Sequence, residues 1–161
     1  MIGMPNSKLL TIAVPAYNAA SYLHTCLDSL VRSGDEVEVL VVNDGSKDGT
    51  LQVARDYAER YPGIVVAVDQ ENRNWGGAVN HALELASGTF FYIVDSDDWL
   101  DSAKLTEVVS RLRMLEEQQA VVDLYMVNYV YNRVENGDRH TISYEKLLPS
   151  DKVVGWDAMN N

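Results

Sequence analysis

The chain has 161 residues, is 47% hydrophobic and 23% charged, and carries 13 Lys and Arg against 24 Asp and Glu, a net charge of −11. That length suits one compact α/β domain and is short for two, and the composition is that of a folded domain rather than a disordered chain. The acidity disfavours nonspecific binding to nucleic acid or anionic lipid, yet leaves room for a small phosphorylated ligand whose charge is met by a divalent cation.

Leu9 to Val14 is an apolar run stopped by Pro15, the pattern of a strand buried on both faces. It is too short to span a membrane and has no strongly basic lead-in, so neither a signal peptide nor a transmembrane helix is expected. Tyr22, Leu23, Cys26, Leu27 and Leu30 then recur at helical spacing. Cys26 is the sole cysteine, which rules out an intrachain disulfide and a paired-cysteine zinc site and fits a reducing compartment.

The pattern repeats along the chain. Val37 to Val42 reads as a strand, Asp44-Gly45-Ser46 as a turn, and Leu51, Val53, Ala54, Tyr57 and Ala58 as a helix, with a third strand over Ile64 to Val68. Gly76-Gly77 precedes a helical stretch carrying Ala78, Val79, Ala82, Leu83 and Ala86, which Ser87-Gly88 closes before a strand over Phe90 to Val94. Asp101 is placed to cap a helix through Leu105, Val108, Val109, Leu112 and Leu115, and Val121 to Val130 predicts a further strand. Asn136-Gly137 can turn a hairpin, and Pro149 to Asn161 is polar with an isolated Trp156.

Strands alternating with helices over short loops predict an α/β fold: a mostly parallel sheet with right-handed crossovers and helices on both faces. Ligands of such sheets bind beyond the carboxyl ends of the strands. Three polar loops leave those ends: Ala16-Tyr17-Asn18, Asn43-Asp44-Gly45-Ser46 and Asp95-Ser96-Asp97-Asp98.

Asp44 follows four apolar strand residues, so its carboxylate should emerge at the end of the sheet, able to accept hydrogen bonds from a base or a ribose. Asp-Gly-Ser is equally an ordinary turn composition. Asp95, Asp97 and Asp98 repel one another unless a cation or hydrogen bonds compensate them, and in an extended segment Asp95 and Asp97 point the same way. Two hard oxygen ligands beside a diphosphate suit Mg²⁺ or Mn²⁺, whereas a solvated loop before a helix cap explains the same residues without a ligand. Tyr17 fits either a base-stacking ring or a loop anchor, and Gly76-Gly77 either a phosphate approach or tight packing. His24, His81 and His140 lack metal-ligand spacing and receive no role.

Together, Val14-Pro15-Ala16-Tyr17-Asn18, Val42-Asn43-Asp44-Gly45-Ser46-Lys47-Asp48-Gly49-Thr50, Gly76-Gly77-Ala78-Val79-Asn80 and Asp95-Ser96-Asp97-Asp98 resemble, in their order and spacing, the family 2 glycosyltransferases of GT-A fold. The resemblance covers residues 8 to 131, the nucleotide-sugar-binding half of such enzymes, within a single domain of residues 1 to 161. It implies a metal-dependent, inverting transfer of a sugar from a nucleoside diphosphate sugar, a UDP-sugar foremost, to a glycan, lipid or protein acceptor, as in polysaccharide synthesis. It implies a donor site of Pro15, Ala16, Tyr17, Asn18, Asp44, Gly76, Asp95, Ser96 and Asp97. In that site Tyr17 and Asp44 would hold the nucleobase, Asp95 the ribose, and Asp97, in a DXD motif, the Mg²⁺ or Mn²⁺ that bridges the phosphates.

The chain departs from the family pattern in two places. Val79 precedes Asn80 where many members have arginine, and Asn43 stands where aspartate is frequent. The family's general base, a carboxylate in a Glu-Asp pair, has no counterpart after Asp98, so it is expected beyond Asn161 and the 161 residues are expected to bind donor with little transfer. A module that binds nucleotide sugar without transferring it is the alternative. A signalling receiver domain is the other rival, but receivers carry paired acids after the first strand, where this chain has Pro15-Ala16-Tyr17-Asn18. Location in the cytoplasm or at the inner membrane face is expected, with no nucleic acid partner.

Overall fold

In the computed structural model, which describes residues 8–133, 137–146 and 152–155, four strands form one sheet in which every pairing is parallel. They are β1 (Leu10–Ala16), β2 (Val37–Asp44), β3 (Val65–Gln70) and β4 (Phe90–Ile93), in the order β3-β2-β1-β4. Helices α1 (Leu23–Leu30), α2 (Thr50–Arg60) and α3 (Asn74–Leu85) alternate with them, and α4 (Ser102–Glu117) follows β4. Each of these strands lies within two residues of the apolar run that predicts it.

All residues of β1 and β2 are buried, which is why both read as mostly apolar runs rather than alternating ones. On one face Ala13, Leu40 and Val42 pack with Ala78 and Ala82 of α3, and Val68, Phe91 and Ile93 border them. On the other, Ile12, Val14, Val39 and Val41 are fully buried, each such side chain contributing about 1.5–3 kcal/mol by leaving water. The small Ala78 and Ala82 let α3 lie close to the sheet.

Two polar residues interrupt the apolar strands at their amino-terminal halves. Thr11 and Glu38 are register partners, and the Thr11 hydroxyl donates to Glu38 Oε1 at 2.6 Å. The same oxygen accepts Ser87 N at 2.6 Å and Ser87 Oγ at 2.9 Å, while Gly88 N donates to Thr11 Oγ1. A buried carboxylate thus ties the loop before β4 to β1 and β2.

Asp101 caps α4 as expected: its Oδ1 accepts Ala103 N at 2.9 Å and Lys104 N at 3.0 Å. The first turn of α3 begins at Asn74, so Gly76 and Gly77 lie inside the helix rather than before it.

The chain divides into two compact units, Met1–Glu116 and Glu117–Asn161. In the second, β5 (Tyr129–Arg133) and β6 (Asp138–Ile142) form an antiparallel hairpin, with Gly137 at φ +74° in its turn. The strand expected over 121–130 therefore starts only at Tyr129, and its partner is β6 rather than the parallel sheet. Val121 and Leu124 are 87% and 56% exposed, and among the described residues no strand pairs with this segment. Asn136, Trp156 and most of the polar stretch from Pro149 lie outside the described residues.

Candidate functional site

After β3 at one edge the chain crosses to β4 on the far side of β1, so the strand order reverses between β1 and β4. The crevice beyond the carboxyl ends at such a reversal is where doubly wound sheets bind ligands. A cavity of about 520 Å³ lies there. Pro15, Ala16 and Tyr17 enter it from the end of β1, Asp44 from the end of β2, and Asp95, Ser96 and Asp97 from the loop after β4. Of the residues singled out in the sequence, Asn18 and Gly76 do not line it.

Asp44 is 3% exposed, and its Oδ1 accepts Gln70 Nε2 and Arg73 N, each at 2.7 Å. No described residue donates to Oδ2, which leaves that oxygen as an acceptor at the cavity wall. Asn72 Nδ2 adds a bond to the Asp44 carbonyl at 2.9 Å. Gly45, at φ +68°, makes this possible: a Cβ there would meet Asn72 N at 2.8 Å and push the 72–73 backbone away from Asp44. Gln70 is itself held, its Oε1 lying 2.7 Å from His81 Nδ1 on α3.

Asn18 joins two loops instead of facing the cavity. At φ +52° its Oδ1 accepts Lys47 N at 2.8 Å and its own N–H donates to Ser46 Oγ at 3.0 Å. Asp48 continues the join by accepting Ala20 N at 3.1 Å and Thr50 N at 3.0 Å, and its hydrogen bonds with Thr50 hold its carboxyl below the usual range. Asn43 turns its amide to Asp69 Oδ1 at 2.8 Å and is absent from the cavity wall. At the glycine pair, Gly77 is the constrained member: a Cβ there would meet Arg73 Cβ at 2.4 Å, whereas Gly76 faces open space.

The acidic loop is a turn, not an extended segment, since Asp98 N donates to Asp95 O at 2.9 Å. Asp95 and Asp97 line the cavity nonetheless. Negative charge concentrates here: Asp98 is raised above the usual carboxylate range by burial, then by Asp97 and Asp95. The buried Cys26 thiol, 3.8 Å from Asp95 O, is pushed up to about 12 by burial and then by Asp98, Asp97 and Asp95, which makes it a poor nucleophile. Among the described residues no group of three or more His, Cys, Asp and Glu is placed to hold a metal ion alone. One or two carboxylates completed by ligand phosphates and water is how Mg²⁺ and Mn²⁺ are commonly held, and Asp97 beside Asp95 fits that donor set.

Asn72, Asn74, Trp75 and Ala78 also line the cavity, and none was singled out as a site residue in the sequence. Trp75 Nε1 donates to Asp95 Oδ1 at 2.7 Å. The available signal was the polar run Glu71-Asn72-Arg73-Asn74, a fourth loop leaving a carboxyl end, that of β3.

Among known proteins, the model of glycosyl transferase family 2 matches residues 11–158. Glycosyltransferase GlyA of Streptococcus pneumoniae is 32% identical over 120 residues, 74% of this chain and 17% of GlyA. EpsH of Bacillus subtilis is 33% identical over 160 residues, 91% of this chain and 44% of EpsH. Among solved structures, S. aureus TarS 1-349 in complex with UDP-GlcNAc superposes with a TM-score of 0.60 at 31% identity over 67% of this chain and 32% of that one. The mannosyltransferase PcManGT from Pyrobaculum calidifontis, in complex with GDP-Man and Mn²⁺, gives 0.56 at 30% identity over 65% of this chain and 32% of that one. The chain thus spans less than half the length of each of these relatives.

Proposed function

The chain belongs to glycosyl transferase family 2, and we propose that its residues 8–131 form the donor side of a transferase that moves a sugar from a nucleoside diphosphate sugar, a UDP-sugar foremost, to a hydroxyl acceptor with inversion. The observation that carries this reading is one cavity, at the strand-order reversal, that brings together Asp44 from the end of β2 and Asp95 and Asp97 from the loop after β4.

Each residue does what its surroundings allow. Asp44, with Oδ1 saturated and Oδ2 open, takes an N–H donor such as that of a uracil ring, while Tyr17, 51% exposed, offers its ring to the base. Asp95 takes a ribose hydroxyl. Asp97 would hold a Mg²⁺ or Mn²⁺, which when bound offsets the charge of the departing diphosphate. Pro15 and Ala16, in the buried end of β1, and Ser96 wall the site. Attack by the acceptor hydroxyl needs a base, for which these 161 residues offer no Glu-Asp pair after Asp98.

Calorimetric titration of UDP into the 161-residue chain tests the reading, with Mn²⁺ and again with excess chelator. Tight binding that weakens at least about tenfold with chelator is expected. Equal heats in both conditions overturn the metal role, and no heat in either overturns the donor role.

Binding without transfer is the second reading, favoured by the missing Glu-Asp pair. Acceptor-dependent release of UDP from UDP-sugar, measured on this chain, separates the two. Among the described residues no helix is long and apolar enough to cross a membrane.

A further inference from the structure

Trp75 is the second residue of α3 and follows Asn74, whose φ of +63° is left-handed. A non-glycine residue in that conformation is uncommon and persists where the surrounding structure holds it there, often at ligand sites. Trp75 lines the cavity with 54% of its surface exposed. Its one polar atom is already engaged, since Nε1 donates to Asp95 Oδ1 at 2.7 Å, so what it presents to the cavity is hydrocarbon and π surface.

Asp95 is pinned at both its main chain and its side chain. Its carbonyl accepts Asp98 N at 2.9 Å and its Oδ1 accepts the indole, a charge-assisted bond, while no described residue donates to Oδ2. A carboxylate held in this way repels phosphate and attracts hydroxyl donors. An indole face beside it packs well on the C–H face of a sugar ring.

We propose that Trp75 is a binding residue for the pentose of the donor nucleotide. Its N–H fixes Asp95 so that Oδ2 accepts from a ribose hydroxyl, and its ring packs against the same ribose. This rests on the donor reading above. The residue type matters at both ends of the side chain: phenylalanine keeps the ring and loses the N–H, and leucine loses both.

The test is titration of UDP and of 2′,3′-dideoxy-UDP, each with Mn²⁺, into the native chain, Trp75→Phe and Trp75→Leu. Trp75→Phe should bind UDP about fivefold more weakly and Trp75→Leu about twentyfold more weakly than native. For the dideoxy nucleotide the Trp75→Phe loss should shrink to within about twofold, because the hydroxyl that Asp95 serves is gone. A purely structural role for Trp75 would weaken both nucleotides alike and would overturn the proposal. So would UDP binding by both variants at native strength, a result that leaves the donor reading standing. Failure of the native chain to bind UDP overturns the donor reading and this inference with it.

Discussion

Gln70 Nε2 lies 2.7 Å from Asp44 Oδ1, and this contact sets the orientation of three side chains. An ionised carboxylate only accepts, so the Gln70 amide must turn its N–H to Asp44 and its Oε1 to His81. His81 Nδ1, 2.7 Å from that Oε1, must then carry the proton. Nitrogen NMR of the imidazole should show the Nδ1–H form. His81→Leu should weaken UDP binding about threefold by freeing Gln70 to rotate, and His81→Asn, which keeps an amide N–H near the same place, should restore it. An Nε2–H tautomer, or no difference between the two variants, would refute the relay.

Cys26 yields a prediction in pH. Its thiol is raised from an ordinary 9.0 to about 12 in the folded chain, so between those values the unfolded chain loses the proton and the folded chain keeps it. The unfolded state then binds fewer protons, and stability must fall as pH rises through that window, by roughly 1.4 kcal/mol per unit for this group. Tyr57, raised from 10.0 to about 12 by burial and by Asp28, steepens the upper part of the fall. Denaturant melts at pH 8 and pH 11 should show a smaller loss in Cys26→Ala than in the native chain, and native Cys26 should resist alkylation at pH 8 until denaturant is added.

The four parallel strands were legible because β1 and β2 are buried on both faces and β3 and β4 are largely apolar, which writes apolar runs directly into the sequence. That Asp44, Asp95 and Asp97 line one cavity was legible for a related reason: each stands within three residues of the end of such a run, at the carboxyl end of the sheet. The place of Trp75 in that cavity was not, because it depends on α3 starting at Asn74, ahead of the glycines that mark the helix in the sequence, and its bond to Asp95 joins residues 20 positions apart. The Val121–Val130 run misled because apolar content alone does not supply a neighbouring strand; what pairs there is Tyr129–Arg133 with β6. Glu38 sits inside an apolar strand, and the three-dimensional approach of Thr11 and Ser87 explains it.

Glu38 separates stability from binding. Its Oε1 gathers donors from the Thr11 hydroxyl, Ser87 N and Ser87 Oγ in the amino-terminal half of the sheet, at the opposite end of the strands from the cavity. Glu38→Leu strands these donors and should cost about 3 kcal/mol by chemical denaturation, whereas Glu38→Gln keeps a neutral acceptor and should cost about 1 kcal/mol. UDP affinity of the folded variants should stay within about twofold of native. A large affinity loss in Glu38→Gln at unchanged stability would contradict the separation.

On the proposed reading Asp44 and Asp97 meet different parts of one nucleotide, so their variants should differ in how they depend on metal. In Asp44→Asn the oxygen that accepts from Gln70 and Arg73 N can be retained, and the atom turned to the cavity changes from an acceptor to an N–H donor. That places two donors face to face if the base presents an N–H, so uridine and UDP should both weaken at least about tenfold, with or without Mn²⁺. Asp97 lies in the turn after β4, exposed at the cavity, and on the proposed reading its charge serves the diphosphate end of the ligand. Asp97→Asn should leave uridine binding unchanged and remove most of the Mn²⁺-dependent gain in UDP affinity. Parallel titrations of uridine and UDP, with Mn²⁺ and with chelator, read all four combinations. If Asp97→Asn weakens uridine as much as UDP, or Asp44→Asn affects only the metal-dependent part, the two carboxylates have been assigned to the wrong ends of the nucleotide.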